Sequence, residues 1–202
     1  RYPQVAAVHI AADRKGVLSI KRASRQPLPA PRRGIIDTLT RTHGCFAGFI
    51  EAIRDGDDLY GLIDGKGVFL HATRGARNHI ETILDRNDLK LDDIELMIEH
   101  QANFAMIPLT LEQVMGTDRP DVKQLAADFL ANKMVTNVHL RGNCSVVCMQ
   151  RLPYDLERGA LEPDTIQGLA VNRNVERLRE SDLILYDSVG AGMTRSSFLR
   201  RR

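Results

Sequence analysis

The chain has 202 residues, 43% hydrophobic and 27% charged, with 28 Lys and Arg against 26 Asp and Glu for a net charge of +2. That mix excludes a disordered polyelectrolyte and a surface built as a whole for a polyanion. No apolar run approaches the ~20 residues of a membrane-spanning helix, and aromatic residues at 5% with no tryptophan leave little for stacking nucleic-acid bases, so neither a nucleic acid nor a membrane span is expected.

Roughly 70% of the unfolded surface of a chain this long can be buried, enough for a single domain. It opens on Arg1-Tyr2-Pro3-Gln4, with no signal-peptide pattern and no initiator methionine, and is expected to be a piece of something longer. Cys45, Cys144 and Cys148 form no CxxC pair and no zinc spacing, which fits reduced thiols in the cytoplasm. The closing Arg200-Arg201-Arg202 reads as a solvated tail.

In chain order, Val5–Ala11 is a β-rich run, Asp13-Arg14-Lys15-Gly16 a turn, and Val17–Ile20 a returning strand. Three prolines in Gln26–Arg33 mark an irregular connection, and Asp55-Gly56-Asp57-Asp58 another turn. Phe69, Ala72, Ala76, Ile80, Ile83 and Leu84 recur at helical spacing, which predicts one amphipathic helix over Gly67–Asn87. Ile94–Ile98 is a nearly continuous apolar run, as in a strand covered on both faces. Helices are predicted from Phe104 to Gly116 and around Val122–Leu130, then a strand over Met134–Val138 and a helix over Ser145–Leu156. Leu183–Tyr186 and Met193–Leu199 read as strands around a tight Gly190-Ala191-Gly192 turn. Alternating strands and helices predict an α/β layered fold, with chemistry where strands end.

Three such ends carry usable groups. His100 follows a buried strand, where a histidine can be held in one tautomer with its other nitrogen in a pocket. Asn143, after Gly142 in a strand-to-helix loop, offers two N–H donors. Two glycines in Gly190-Ala191-Gly192 let backbone N–H groups approach an oxyanion. Taken singly, each has a plainer reading: a satisfied strand-end histidine, a helix cap and a hairpin turn.

Their order along the chain says more. Glu99-His100-Gln101-Ala102-Asn103, then Arg141-Gly142-Asn143-Cys144-Ser145, then Asp187-Ser188-Val189-Gly190-Ala191-Gly192, with Gly65–Phe69 upstream, resembles the C-terminal half of β-ketoacyl-acyl carrier protein synthase III, a thiolase-fold condensing enzyme. The resemblance runs from Leu62 to Leu199 and implies a mixed five-stranded sheet with helices on both faces, spanning residues 1–202, with residues 1–61 as lead-in strands and loop. It implies an acyltransferase of fatty-acid biosynthesis that condenses an acyl group from acyl-CoA with a malonyl or second acyl thioester. His100 and Asn143 match the pair that stabilises the enolate oxygen, Gly190, Ala191 and Gly192 the loop lending a backbone N–H to the second oxyanion hole, and Asn103 a substrate-binding position. No metal and no cofactor is implied beyond CoA or acyl-carrier thioesters as substrates. The partners implied are the N-terminal half of the same fold, a second copy of the complete unit in a homodimer, and acyl carrier protein.

Departures from the family pattern narrow the reading. The family's nucleophilic cysteine lies in the N-terminal half, so the chain alone is expected to be inactive. Cys45 in Gly44-Cys45-Phe46-Ala47-Gly48-Phe49 imitates the nucleophile's surroundings but has too little chain before it, while Cys144 and Cys148 read as packing residues. Ala105 stands where the family often has a carrier-docking arginine, which leaves Arg74 and Arg77 as alternatives. Glu162–Ser181 is a longer stretch than the family's, with no function legible in it. The competing reading is a non-catalytic partner subunit of a condensing enzyme; retention of His100 and Asn143 argues against it.

Overall fold

The computed structural model describes residues 7–12, 17–23, 33–143, 147–174 and 182–202. The expected turn at 13–16 and most of the proline-rich connection lie outside them.

Three strands come first: β1 (Ala7–Ala12), β2 (Val17–Ala23) and β3 (Gly34–His43). The Asp55–Asp58 turn joins a separate hairpin, β4 (Ile50–Asp55) and β5 (Asp58–Ile63). Two helices follow, α1 (Gly65–Arg74) and α2 (Ala76–Asp85). After them come β6 (Leu96–Glu99), α3 (Met106–Met115), α4 (Val122–Lys133) and the single turn α5 (Val138–Arg141). A short π-helical stretch over Val147–Arg151 leads into α6 (Leu152–Glu157). The chain closes with the small hairpin β7 (Asp164–Ile166) and β8 (Leu169–Val171), then β9 (Leu183–Gly190) and β10 (Thr194–Arg201).

The main sheet has six strands in the order β1-β2-β3-β10-β9-β6, antiparallel throughout except for the parallel β9–β6 pair. It is the mixed sheet expected, with six strands in place of the five that the resemblance implies; β3, within the lead-in segment, was not read as a strand and pairs between β2 and β10. Alternate residues on the central strands face opposite layers. Met97, Leu185, Leu199 and Leu39 pack against α2, α3 and α4, whereas Leu96, Ile98, Ile184 and Tyr186 meet Leu152 of α6 on the other face. Helices thus cover both faces. At ~1.5–3 kcal/mol for each fully buried aliphatic side chain, this double burial anchors β6 and β9, whose ends carry the candidate site.

Four expectations are corrected. The helix predicted over Gly67–Asn87 is two helices broken at Gly75, whose N–H caps α1 by donating to the His71 carbonyl at 3.0 Å; a periodicity that runs in phase through a break cannot reveal it. The strand predicted over Met134–Val138 reduces to one bridge from Met134 to Met97, after which the chain turns into α5. The helix predicted over Ser145–Leu156 is π-helical through Val147–Arg151 and α-helical only from Leu152, and residues 144–146 lie outside the described set. The terminal arginines are no free tail: Arg200 and Arg201 are half-buried in β10, and Arg202 N–H donates to the Asp182 carbonyl at 3.1 Å. No helix among the described residues is long and apolar enough to cross a membrane.

Candidate active site

His100 is fixed by its backbone. β6 pairs with β9 so that Glu99 stands opposite Asp187, and the His100 N–H continues the ladder by donating to the Asp187 carbonyl at 2.8 Å. The imidazole is half-buried, and burial lowers its pKa; the Asp187 charge opposes the shift and Arg195 adds to it. The ring is therefore held neutral at physiological pH, the form that can donate one N–H without carrying charge.

The next residue, Gln101, is completely buried. Its side-chain oxygen accepts from the Thr136 hydroxyl at 2.7 Å and from the N–H groups of Asn137 at 3.2 Å and Val138 at 3.1 Å, while its amide donates to the Val135 carbonyl at 3.2 Å. The 135–138 segment, which leads through α5 to Asn143, is thus bonded to the residue adjacent to His100. Gly142 ends α5 at φ +75°, in the left-handed region that suits glycine, and hands the chain to Asn143, which is exposed.

The third segment arrives by apolar packing. Val189 and Met193, which flank Gly190-Ala191-Gly192, share one cluster with Ala72 of α1, Met106 of α3 and Ala102 of the His100 loop. Gly192 sits at φ +69°, and Gly190 is extended with open space around it, so a ligand can approach the backbone there. Ala191 falls in a short 3-10 turn. The loop after His100 is therefore bonded to the 135–138 segment and packed against the residues that flank the Gly190 turn. Asn103 is exposed and its side-chain oxygen accepts the Met106 N–H at 3.2 Å, so in this structure it caps α3. Cys45 is exposed in the 3-10 turn Gly44–Phe49, consistent with a surface position; the side chains of Cys144 and Cys148 lie outside the described residues.

Behind the site is a polar cluster not anticipated from sequence. Asp187 and Arg195 form a buried ion pair, Arg195 also donates to the Ala72 carbonyl at the end of α1, and the Ser197 hydroxyl donates to Asp187. Only half of the cue lies in the sequence: Asp187 is a charge in the largely apolar β9, whereas Arg195 is one of three arginines in the polar β10, and the Gly190 turn folds both onto one face. Glu99, opposite Asp187, is buried, and burial with the Asp187 charge raises its pKa to about 8. His79 of α2 is buried as well, and that burial lowers its pKa to about 4.

These two groups predict a specific stability profile. Folded Glu99 keeps a proton that the unfolded chain releases near pH 4.5, so its contribution is complete below that pH and is lost as pH rises towards 8. Folded His79 refuses a proton that the unfolded chain takes up near pH 6.5, so its contribution is complete above that pH and is lost as pH falls towards 4. Between about pH 4.5 and 6.5 the two slopes cancel, and above 6.5 the Glu99 slope stands alone. Urea unfolding from pH 4.5 to 8 should show a plateau followed by a decline. Glu99→Gln should remove the decline; a decline that persists in that variant contradicts the assignment.

No family model matches the chain. A β-ketoacyl-[acyl-carrier-protein] synthase III of Wolbachia pipientis is 27% identical over 173 residues, which cover 83% of this chain and 45% of the relative. The protein of that name from Helicobacter pylori is 31% identical over 136 residues, 67% of this chain and 32% of the relative. Among solved structures, 3-oxoacyl-[acyl-carrier-protein] synthase III from Aquifex aeolicus superposes with a TM-score of 0.60 at 20% identity, over 92% of this chain and 48% of that one. The Pseudomonas aeruginosa structure of the same name gives 0.61 at 21% identity, over 89% and 47%. The chain spans about half the length of these proteins or less, and the structural likeness establishes the fold.

Proposed function

Because this chain is a homologue of the C-terminal half of β-ketoacyl-[acyl-carrier-protein] synthase III and has its thiolase-like fold, we propose that it supplies the second half of a condensing acyltransferase. The N-terminal half contributes a nucleophilic cysteine that takes an acyl group from acyl-CoA. His100 and Asn143 then donate to the thioester oxygen of the second substrate as the enolate forms, a malonyl group losing CO2 at this step. The enolate carbon attacks the acyl thioester, the β-ketoacyl product forms and the cysteine thiolate leaves. Backbone N–H groups of the Gly190-Ala191-Gly192 turn stabilise the oxyanion of the acyl group, and Asn103 borders the second substrate. The complete unit works as a cytoplasmic homodimer on CoA or acyl-carrier thioesters.

The observation that supports this reading is the attachment of the His100 loop to two of its neighbours, through the Gln101 hydrogen bonds to the segment that leads to Asn143 and through the cluster that joins Ala102 to Val189 and Met193. Neutral donors suit an enolate because they stabilise developing charge without lending a competing proton. The β4–β5 hairpin adds support: Leu59 is 71% and Ile63 66% exposed, an apolar surface suited to cover by another polypeptide. Mixing or fusing the chain with the N-terminal half of a relative and measuring β-ketoacyl product tests the proposal. Product from the pair and none from either half is expected. Cysteine acylation without product would contradict it and favour the non-catalytic subunit.

A further inference from the structure

The Thr136 peptide is gripped from two sides. On one side is Gln101, bonded to the Thr136 hydroxyl and the next two N–H groups. On the other is Asn172, whose side-chain oxygen accepts the Thr136 N–H at 2.9 Å and whose amide donates to the Thr136 carbonyl at 3.0 Å. Asn172 is buried at φ +56°, a left-handed conformation that asparagine tolerates better than most residues. It follows β8, in the long stretch before the last strands to which sequence assigned no purpose. Val171 beside it is buried in the main core, so the grip is anchored.

All of these hydrogen bonds but the part-buried one from Val138 are made out of water, where an orphaned partner costs most. The 135–138 segment cannot shift without breaking several of them together, and the only covalent path from there to Asn143 is α5 and Gly142. We propose that Gln101 and Asn172 are positioning residues, a strut that fixes the Asn143 loop relative to His100. The Asn172 hairpin is thereby part of the catalytic framework without touching substrate. This rests on the condensing reading of His100 and Asn143.

Amide hydrogen exchange on the chain itself reads the strut without any activity. Asn172→Gly, which keeps the positive φ accessible, and Gln101→Met should each speed exchange at Thr136, Asn137 and Val138 roughly 10- to 100-fold, with β9 and β10 unchanged. In the complete catalytic unit the same variants should lower condensation kcat at least roughly tenfold, with thioester KM and cysteine acylation nearly unchanged. Should Gln101→Met fail to fold, Thr136→Val removes one bond at constant shape and should lower kcat, whereas Thr136→Ser restores it. Unchanged exchange at 136–138 overturns the strut, and faster exchange with unaltered condensation overturns the positioning role. Parallel loss of acylation and condensation reduces it to general support and also overturns it. A wild-type unit that makes no product defeats the condensing reading instead, and the exchange measurement keeps the two failures distinct.

Discussion

Replacing either His100 or Asn143 by alanine should lower condensation in the complete unit by roughly 10²–10³-fold, the usual loss for one oxyanion donor, while acylation of the cysteine continues. The expectation follows from the division of labour. Acylation needs the nucleophile and the donors beside it, whereas charge reaches the second thioester oxygen only during condensation. Burial keeps His100 neutral, so its variant loses an N–H donor and not a counter-ion. Asn143→Asp should be worse than Asn143→Ala, because it faces the nascent oxyanion with a carboxylate. Radiolabelled acyl-CoA followed separately into protein and into β-ketoacyl product measures both steps. Equal loss of both steps, or undiminished condensation, contradicts the assigned roles.

Arg195→Met should be the most destabilising single change near the site, by about 3–5 kcal/mol, because it strands Asp187 as an uncompensated charge in a dry interior. Asp187 is 1% and Arg195 3% exposed, so water cannot take over for the lost guanidinium. The bond to the Ala72 carbonyl is lost as well, and α1 loosens from the sheet. At roughly 2–4 °C per kcal/mol for a domain of this size, the midpoint of thermal unfolding should fall by about 6–20 °C. Adding Asp187→Leu should recover more than half of the loss, since two apolar side chains replace a buried pair far better than one of them leaves the other unpaired. A single variant as stable as wild type would mean that the pair is solvated.

The layered α/β fold was legible because β6 and β9 are short apolar runs, and the candidate positions His100, Asn143 and the Gly190 turn stood out because they lie where regular elements stop. The hairpins escaped notice for physical reasons. β4 and β5 are exposed throughout, and β7 and β8 have three residues each, so neither hairpin carries a buried periodicity. β3, with mostly half-buried residues, alternates only weakly. Gln101 and Asn172 were illegible for a different reason. A buried carboxamide has the same letter as an exposed one, and its value depends on backbone groups that only tertiary folding brings within reach. The Asp187–Arg195 pair lies between: Asp187 stands out in the largely apolar β9, but β10 is rich in serine and arginine, and the hairpin register was needed to single out Arg195 as its partner.

The central claim is that His100 and Asn143 serve one oxygen. A crystal structure of the complete unit with a non-hydrolysable thioester enolate analogue tests it most directly. The account predicts one analogue oxygen within about 2.7–3.2 Å of both an imidazole nitrogen of His100 and the amide nitrogen of Asn143. Two side chains turned into separate cavities, or an analogue oxygen bound elsewhere with both donors idle, would contradict it.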